Sequence, residues 1–184
     1  MPHDERALIK QAQQGDTQAF EALARQHQGR LFRLVLAITG NREDAEDALQ
    51  EVLIRAYRSL PAFRGDATVS TWLHRIALNT TRNWLRSQVR ASSDRIAQRL
   101  AAVGAPATPD VDRELEDRER RAILREALQC LPAHYREALL LRHYQDMPYG
   151  EIAQVLQIPI GTVRSRIAQG RCLLLRKLAA LGYP

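Results

Sequence analysis

Apolar residues recur along most of this chain at the three- to four-residue spacing that is typical of α-helices with one buried face. Gly, Pro, Asn and Asp interrupt that pattern at intervals and divide it into separate elements. The pattern therefore predicts an all-α fold, with helices over residues 4–14, 17–39, 41–60, 68–88, 114–131, 133–144, 149–156 and 159–178.

The last two predicted helices are joined by a tight turn, Gln157–Ile158–Pro159. Because proline disfavours the helical conformation in the residue before it, the first helix is expected to end by Ile158. Thr162 is the predicted N-cap of the second helix. Gln157 occupies a turn position that glycine often holds, so it is expected to adopt a positive φ.

This pair of helices predicts a helix-turn-helix, in which the second helix enters the major groove of DNA with its N-terminus first. Ala153 is small enough for the two helices to cross closely, and Val163 packs the second helix on the first. No acid follows Glu151, whereas five basic residues do: Arg164, Arg166, Arg171, Arg176 and Lys177. A basic surface without acids suits the phosphate backbone. The alternative interpretation is a helical hairpin whose charged face is merely solvated.

The predicted helix 41–60 is acidic in its first turns, where the helix dipole favours negative charge. One stripe consists of small residues suited to close helix packing: Ala45, Ala48, Val52 and Ala56. A second face mixes acidic and apolar residues, among them Asp47, Glu51 and Ile54. Two interpretations remain open: this face binds a partner protein, or the helix is the centre of a small bundle and is buried nearly all round.

The predicted helix 68–88 has one apolar face, on which Trp72 and Trp84 are expected to lie in the core rather than to stack on bases. The opposite face predicts a second basic surface and carries His74, Arg75, Leu78, Asn79, Arg82 and Arg86. Asn amides can hydrogen-bond base edges and Arg binds phosphate. A second nucleic-acid surface, separate from the first, is therefore predicted.

Residues 91–113 differ in character from the rest of the chain because they are rich in Ser, Gly, Ala and Pro. They predict a flexible linker, with a weak helix over 94–103. Two small helical domains follow, 1–90 and 114–184, and in the second the helices before the helix-turn-helix complete a four-helix domain.

Charge supports a nucleic-acid partner, since the net charge is +6 and the pI about 9.9. Cys130 and Cys172 lack metal-ligand spacing and are expected in the core of a protein from a reducing cytoplasm. No leader and no apolar run of membrane-spanning length is present, so a cytoplasmic, soluble protein is expected. We find no histidine pairing for a metal, no phosphate loop and no nucleophile motif, so neither a metal, a cofactor nor catalysis is expected.

Two long stretches carry a family resemblance. DAEDALQEVLIRAYRSLPAFRG, followed by STWLHRIALNTTRNWLR, resembles region two of a bacterial sigma factor of the extracytoplasmic-function group, sigma-E-like. LPAHYREALLLRHYQDMPYGEIAQVLQIPIGTVRSRIAQGR resembles region four of the same group. Together with the N-terminal helices, the resemblance covers nearly the whole chain outside the linker.

The resemblance implies three sets of functional residues. Region two of the family binds the clamp helices of the largest polymerase subunit, which implies such a role for Asp47, Gln50, Glu51 and Ile54. Region two also reads the −10 promoter element and flips a base into a loop pocket, which implies roles for Phe63, Arg64, Asp66, Arg75, Asn79 and Arg82. Region four reads the −35 element, which implies roles for Thr162, Arg164, Ser165, Arg166, Gln169 and Arg171.

The implied partners are core RNA polymerase, contacted at the clamp helices and through region four at the flap, promoter DNA, and an anti-sigma protein, often membrane-bound. Ala168 and Gln169 depart from relatives that carry an aromatic residue and Arg there. The implied −35 sequence is therefore open. Two other hypotheses compete: a dimeric helix-turn-helix regulator of a palindromic operator, and a DNA enzyme such as a recombinase, for which Ser70 and Thr71 lack a suitable arrangement.

Overall fold

The computed structural model describes residues 3–95 and 122–182, and within these ranges every regular element is helical. The all-α prediction is confirmed, and most helix bounds agree with the pattern to within two residues. The helices are α1 (His3–Gln13), α2 (Thr17–Thr39), α3 (Arg42–Ser59), a short 3₁₀ helix (Leu60–Ala62), α4 (Val69–Arg95), α5 (122–129), α6 (Ala133–His143), α7 (Tyr149–Leu156) and α8 (Ile160–Ala180).

Local capping chemistry separates the first three helices. The Asp16 carboxylate accepts hydrogen bonds from the amides of Gln18 and Ala19, at 2.9 and 3.1 Å, and so begins α2. Gly40 ends α2 in the left-handed conformation, with φ +89°. The Asn41 side chain then accepts from the Asp44 amide at 2.8 Å and begins α3. These caps explain why the bounds of α2 and α3 predicted from the sequence agree closely with the structure.

Helices α1–α4 form the N-terminal bundle, in which α2, α3 and α4 pack on one another. The stripe of small residues on α3 is fully buried, so the neighbouring helices approach α3 closely. Trp72 is 7% exposed and lies in this core, as predicted, while Trp84 is half-buried against it.

Helices α5–α8 form the C-terminal bundle, in which α8 crosses α6 so closely that an added methyl group at the crossing would require its neighbours to shift. A Cβ built on Gly170 would lie 3.1 Å from Leu139 Cδ1. In the turn between α7 and α8, Gln157 has φ +55°, which confirms the predicted left-handed conformation. The predicted N-cap at Thr162 is wrong, because α8 begins at Ile160 with Pro159 as its N-cap residue.

Several other expectations are changed or lie outside the described residues. Cys130 and Cys172 are exposed, so their predicted core positions are wrong. Helix α4 continues to Arg95, which places the first residues of the predicted linker in a helix. Residues 96–113 of that linker, most of its weak helix, and the first part of the predicted helix 114–131 lie outside the described residues.

Candidate nucleic-acid interface

The first half of α8 presents the polar surface that the helix-turn-helix pattern predicts. Val163 and Ile167 are buried against the rest of the bundle, which turns the other side of the helix outward. Three of the predicted −35 residues are exposed on this outer side: Arg164, Ser165 and Gln169. Thr162 and Arg166 are half-buried, and Arg171 is exposed at the edge of an apolar pocket formed with α5 and α6. Arginine side chains at the open N-terminal half of a helix can reach base edges and phosphates.

Two hydrogen bonds hold polar side chains of this surface in place. The Ser165 hydroxyl donates to the Thr162 carbonyl at 3.0 Å. The Tyr135 hydroxyl, from α6, donates to Gln169 Oε1 at 2.8 Å. Tyr135 was not singled out from the sequence because it lies in another helix, 34 residues from Gln169. It fixes which way the Gln169 amide points.

The loop between α3 and α4 forms one wall of a pocket of about 640 Å³. Gln13, on α1, donates hydrogen bonds from Nε2 to the carbonyls of Leu60 (3.1 Å) and Phe63 (2.8 Å). The Phe63 ring packs on Trp72 with 5.0 Å between ring centroids. The predicted −10 loop is therefore held in two ways: by hydrogen bonds to backbone carbonyls and by packing of an aromatic side chain. Sequence reasoning missed Gln13 because its partners are backbone carbonyls far along the chain.

The basic side chains around this pocket come from two elements. Arg6 and Lys10 project from α1, and Arg64 comes from the loop, where Asp66 also lines the pocket. Arg64 and Asp66 are both exposed. Arg6 and Lys10 were not predicted as site residues, although their spacing of four places them on one face of α1.

The outer face of α4 is the largest departure from expectation. Asn79 is exposed as predicted, but His74 and Leu78 are each 1% exposed, and Arg75 and Arg82 are half-buried. Helix α7 packs against α4, and Glu137 of α6 accepts two hydrogen bonds from the Arg82 guanidinium, the Nε contact being 2.5 Å. The expected solvent-facing basic surface is thus partly covered by the C-terminal bundle.

The pKa values on this face follow from the covering helices. Pairing with Glu137 raises the pKa of Arg82, so this side chain stays charged. Burial lowers the pKa of His74, because an imidazolium there would lose its hydration. Its Nδ1–H donates to the Ser70 carbonyl (2.7 Å), and its Nε2 lies 3.3 Å from Gln145 Oε1.

The third predicted surface, on α3, is open to solvent. Asp47, Gln50 and Ile54 are exposed and Glu51 is half-buried, with a 2.7 Å ion pair to Arg55. Ile54 is 45% exposed and Tyr57, one turn further, 38% exposed. The interpretation in which α3 is buried nearly all round is therefore wrong. An acidic helix face with exposed large apolar side chains is left without cover by the described residues.

Comparison with known proteins identifies the family to which this chain belongs. A family model for Sigma-70 region 2 matches residues 23–91, and one for Sigma-70 region 4 matches residues 114–174. The chain belongs to the extracytoplasmic-function sigma factors. Sigma factors are transcription initiation factors, and both matched regions contain the surfaces described above.

Curated relatives match this sigma factor over most of their length. It is 37% identical over 170 residues to the RNA polymerase sigma-H factor of Pseudomonas aeruginosa, covering 89% of this chain and 88% of that protein. It is 34% identical over 188 residues to the ECF RNA polymerase sigma-E factor of Haemophilus influenzae, covering 96% of both.

Two solved structures have the same fold. CnrH in complex with the cytosolic domain of CnrY matches with a TM-score of 0.71 and 25% identity, covering 97% of this chain and 99% of that chain. The sigma factor RpoE in complex with the anti-sigma factor NepR from Bartonella quintana matches with a TM-score of 0.67 and 23% identity, covering 87% and 96%. The second likeness bears on the fold alone.

No group of three His, Cys, Asp or Glu side chains in the part of the chain that the structure describes could hold a metal ion. None of the described helices is both long and apolar enough to cross a membrane.

Gln13→Leu should lower the rate of promoter opening by this sigma factor about tenfold. Leucine keeps the size of the side chain but removes both hydrogen bonds that hold the loop, each worth about 0.5–1.5 kcal/mol net. The measurement is the rate of open-complex formation by the chain bound to core polymerase. Gln14→Leu, at the exposed neighbouring position, is the control and should change little. Equal effects of the two variants would contradict a role for the anchored loop.

Lowering the pH from about 7.5 to 5.5 should lower the melting temperature, because the folded protein holds His74 with a lowered pKa. The unfolded chain binds the proton near the ordinary value of about 6.5, so stability falls as the pH drops through that value. His27 and Arg30 face His74 and oppose its protonation further. His74→Gln should reduce the pH dependence, whereas His143→Gln, at an exposed position, should not. Identical pH profiles of the two variants would contradict it.

Proposed function

We propose that this sigma factor binds core RNA polymerase, recognises −35 and −10 promoter elements and promotes DNA melting for transcription initiation. The observation that carries the proposal is the pair of separate polar, arginine-bearing helix surfaces, one in each matched region and in the family's order. The net charge of +6 fits a polyanionic partner. A conventional helix-turn-helix repressor would need only one such DNA-binding surface, so it does not account for the presence of two.

For the −35 element, α8 would enter the major groove with Thr162 to Gln169 foremost. The exposed side of its first half carries Arg164 and Ser165, and Arg171 lies one to two turns further along the same helix. Arg can pair bidentately with guanine, while Ser and Gln suit other base edges and phosphates. Because Tyr135 holds Gln169, its amide would present its NH₂ group to the groove. The exact base sequence read by this set stays open.

For the −10 element, the loop 63–68 and the start of α4 would receive a base of the single strand. Phe63 and Asp66 line the pocket, and Arg64 beside them is suited to the neighbouring phosphate. Flipping a base costs a few kcal/mol of unstacking, and stacking on an aromatic side chain returns about 1–3 kcal/mol per base. Asn79, Arg75 and Arg82 on α4 would contact the nucleotides that follow the flipped base along the same DNA strand.

For core polymerase, the proposed binding face is the exposed side of α3 with Asp47, Gln50, Glu51 and Ile54. Large exposed apolar side chains bordered by charges are typical of protein-binding surfaces. The charges give orientation, while Ile54 and the neighbouring Tyr57 supply apolar area. The C-terminal bundle would contact the polymerase flap.

We also propose regulation by an anti-sigma factor, and action in the cytoplasm. CnrH, which is similar to this chain along its whole length, was solved with the cytosolic domain of a partner, CnrY. A comparable partner could hold this sigma factor at the inner face of the membrane.

The proposal is tested by mixing the purified chain with core RNA polymerase and following both by size exclusion at moderate salt. Co-elution in a one-to-one complex is expected, together with initiation from a promoter that neither component uses alone. A chain that elutes apart from the polymerase, as a dimer that shifts palindromic DNA, would favour a conventional helix-turn-helix regulator instead.

A further inference from the structure

One hydrogen bond ties the exposed surface of α8 to a neighbouring helix. The Tyr135 hydroxyl on α6 donates to Gln169 Oε1 on α8 at 2.8 Å. Gln169 is exposed, whereas Tyr135 is half-buried between the two helices. By contrast, the Ser165 side chain, on the same surface, bonds within its own helix, to the Thr162 carbonyl. The Gln169 amide is therefore oriented from outside α8.

The close crossing of α6 and α8 brings the Tyr135 phenol within reach of Gln169. Gly170, the next residue of α8, is buried, and a Cβ built on it would lie only 3.3 Å from Tyr135 Cβ. A glycine at this position thus lets the two helices approach each other. The His134 ring packs on the Tyr135 ring, with 4.1 Å between the ring centroids. The position of the hydroxyl therefore depends on helix packing and ring packing, and not on the hydrogen bond alone.

The hydrogen bond decides which end of the Gln169 amide is free to meet DNA. A phenol hydroxyl can donate or accept, but it is the better donor because its oxygen shares lone-pair density with the ring. The amide oxygen of Gln169 accordingly faces Tyr135. The oxygen and the NH₂ group diverge from one planar carbon, so Nε2 points away from Tyr135. Ser165, four residues earlier, lies on the same exposed helix face.

The orientation of this amide limits the bases that Gln169 can select. Glutamine pairs bidentately with adenine only if both amide ends reach the base, one accepting from N6 and the other donating to N7. An oxygen held by Tyr135 cannot turn to N6 without losing its hydrogen bond. An NH₂ donor alone suits the acceptors of the major groove, which are N7 and O6 of guanine, O4 of thymine and N7 of adenine. Cytosine presents a donor there, so it is the poorest match.

We propose that Tyr135 is a specificity-determining residue for the −35 element: by holding the oxygen of Gln169, it makes Gln169 a donor that favours guanine and prevents bidentate pairing with adenine. The inference rests on the proposed function, because it takes α8 as the helix that enters the major groove. Tyr135 acts through Gln169 and is a positioning residue. Fixing the Gln169 side chain before binding also reduces the conformational entropy that it loses on contact with a base.

The test is a selection by the chain bound to core polymerase from promoter duplexes with a randomised −35 element, followed by sequencing of the bound fraction. The base that Gln169 reads is the one whose preference is lost in Gln169→Ala, and the wild type should favour guanine there. Tyr135→Phe removes only the hydroxyl. It should shift the adenine-to-guanine ratio at this base toward adenine by at least about fivefold, the lower end of what a bidentate pair contributes.

Two controls separate base selection from a general loss of binding. Tyr144→Phe removes the same group from an exposed tyrosine at the end of α6 and should leave every base preference unchanged. In a Gln169→Ala background, Tyr135→Phe should have no further effect, because its hydroxyl acts through the missing amide. The proposal is overturned if Tyr135→Phe leaves the ratio unchanged, weakens all sequences equally, or still alters base preference when Gln169 is absent.

The contact itself is measured without polymerase by nuclear magnetic resonance of side-chain amides in the free chain. The NH₂ signals of Gln169 are assigned by their loss in Gln169→Ala. They should shift in Tyr135→Phe and stay in place in Tyr144→Phe, while the backbone amide spectrum keeps the dispersion of the folded protein. Gln169 signals that do not move in Tyr135→Phe would show that the hydrogen bond is absent in solution, which also overturns the proposal.

Failure of the proposed function has a different signature. A chain that never co-elutes with core polymerase rejects the polymerase partner. The same selection is then run with the chain alone on random duplex DNA, and the shift caused by Tyr135→Phe still decides whether Tyr135 controls the base that Gln169 reads. A chain that co-elutes with polymerase and initiates, but whose base preferences do not respond to Tyr135→Phe, overturns this inference alone.

Discussion

Glu51→Arg should weaken the binding of this sigma factor to core RNA polymerase by at least about a hundredfold. The proposed clamp-binding face of α3 is acidic at Asp47 and Glu51, and reversing one charge would set like charges against each other across the interface. Such juxtaposition costs several kcal/mol, and each 1.4 kcal/mol is about tenfold in affinity. Fluorescence anisotropy with labelled chain and increasing core polymerase measures the loss.

The fold should tolerate this change. Glu51 is half-buried on the outer side of α3, and its one described ion pair, 2.7 Å to Arg55, lies on the helix surface. Like charges at this spacing destabilise a helix by only about 0.2–0.5 kcal/mol. Glu126→Arg makes the same change in net charge at an exposed position of α5 and is the control. A similar loss in both variants would mean that net charge, and not this face, governs polymerase binding.

Local chemistry explains which parts of the fold could be predicted. Asp16, Gly40 and Asn41 end or begin helices through their own side chains or backbone, so a pattern of a few residues is enough to locate them. Gln157 likewise takes a positive φ because α7 and α8 must turn sharply between Leu156 and Ile160. Capping and turn signals depend on residues within about one helical turn. A short stretch of sequence therefore contains all the information that they require.

The error at Thr162 shows where two local signals compete. The Pro159 carbonyl accepts from the amides of Thr162 (2.9 Å) and Val163 (3.1 Å), so the first turn of α8 already begins at the proline. Proline presets a φ suited to a helix start, and here its φ is −58°. Thr162 therefore lies inside the first turn, where its hydroxyl cannot cap. Spacing alone did not decide between the two residues.

The exposed cysteines and the covered face of α4 were not predicted, for a different reason. Cysteine is buried on average, but Cys172 lies on the solvent side of α8, and only packing decides that. Arg82 and Glu137 are 55 residues apart, and His74 and Gln145 are 71 apart. A repeat along one helix cannot reveal which distant helix covers it. The sequence thus predicted a polar outer face on α4, but neither the burial of His74 and Leu78 on that face nor the distant residues that cover it.

Arg164→Ala should lower the discrimination of the −35 element by about 1–3 kcal/mol, which is roughly 5- to 150-fold between a matched and a mismatched promoter. Arg164 is exposed in the first turns of α8, and Val163 beside it is buried, so the side chain points away from the bundle. The loss should be restricted to base-specific binding, and core polymerase binding should remain intact. Holoenzyme binding to duplexes with matched and substituted −35 elements measures the ratio.

Arg176→Ala provides the matched comparison, because it removes the same charge from the same helix. Arg176 is exposed and lies twelve residues further along α8, about 18 Å at about 1.5 Å per residue. A helix that enters the groove with its N-terminus first carries that position away from the bases, so Arg176→Ala should leave the ratio unchanged. If Arg164→Ala instead weakens matched and mismatched promoters equally and only lowers the salt dependence by about one charge, Arg164 binds phosphate, and base reading falls to other side chains of the α8 surface.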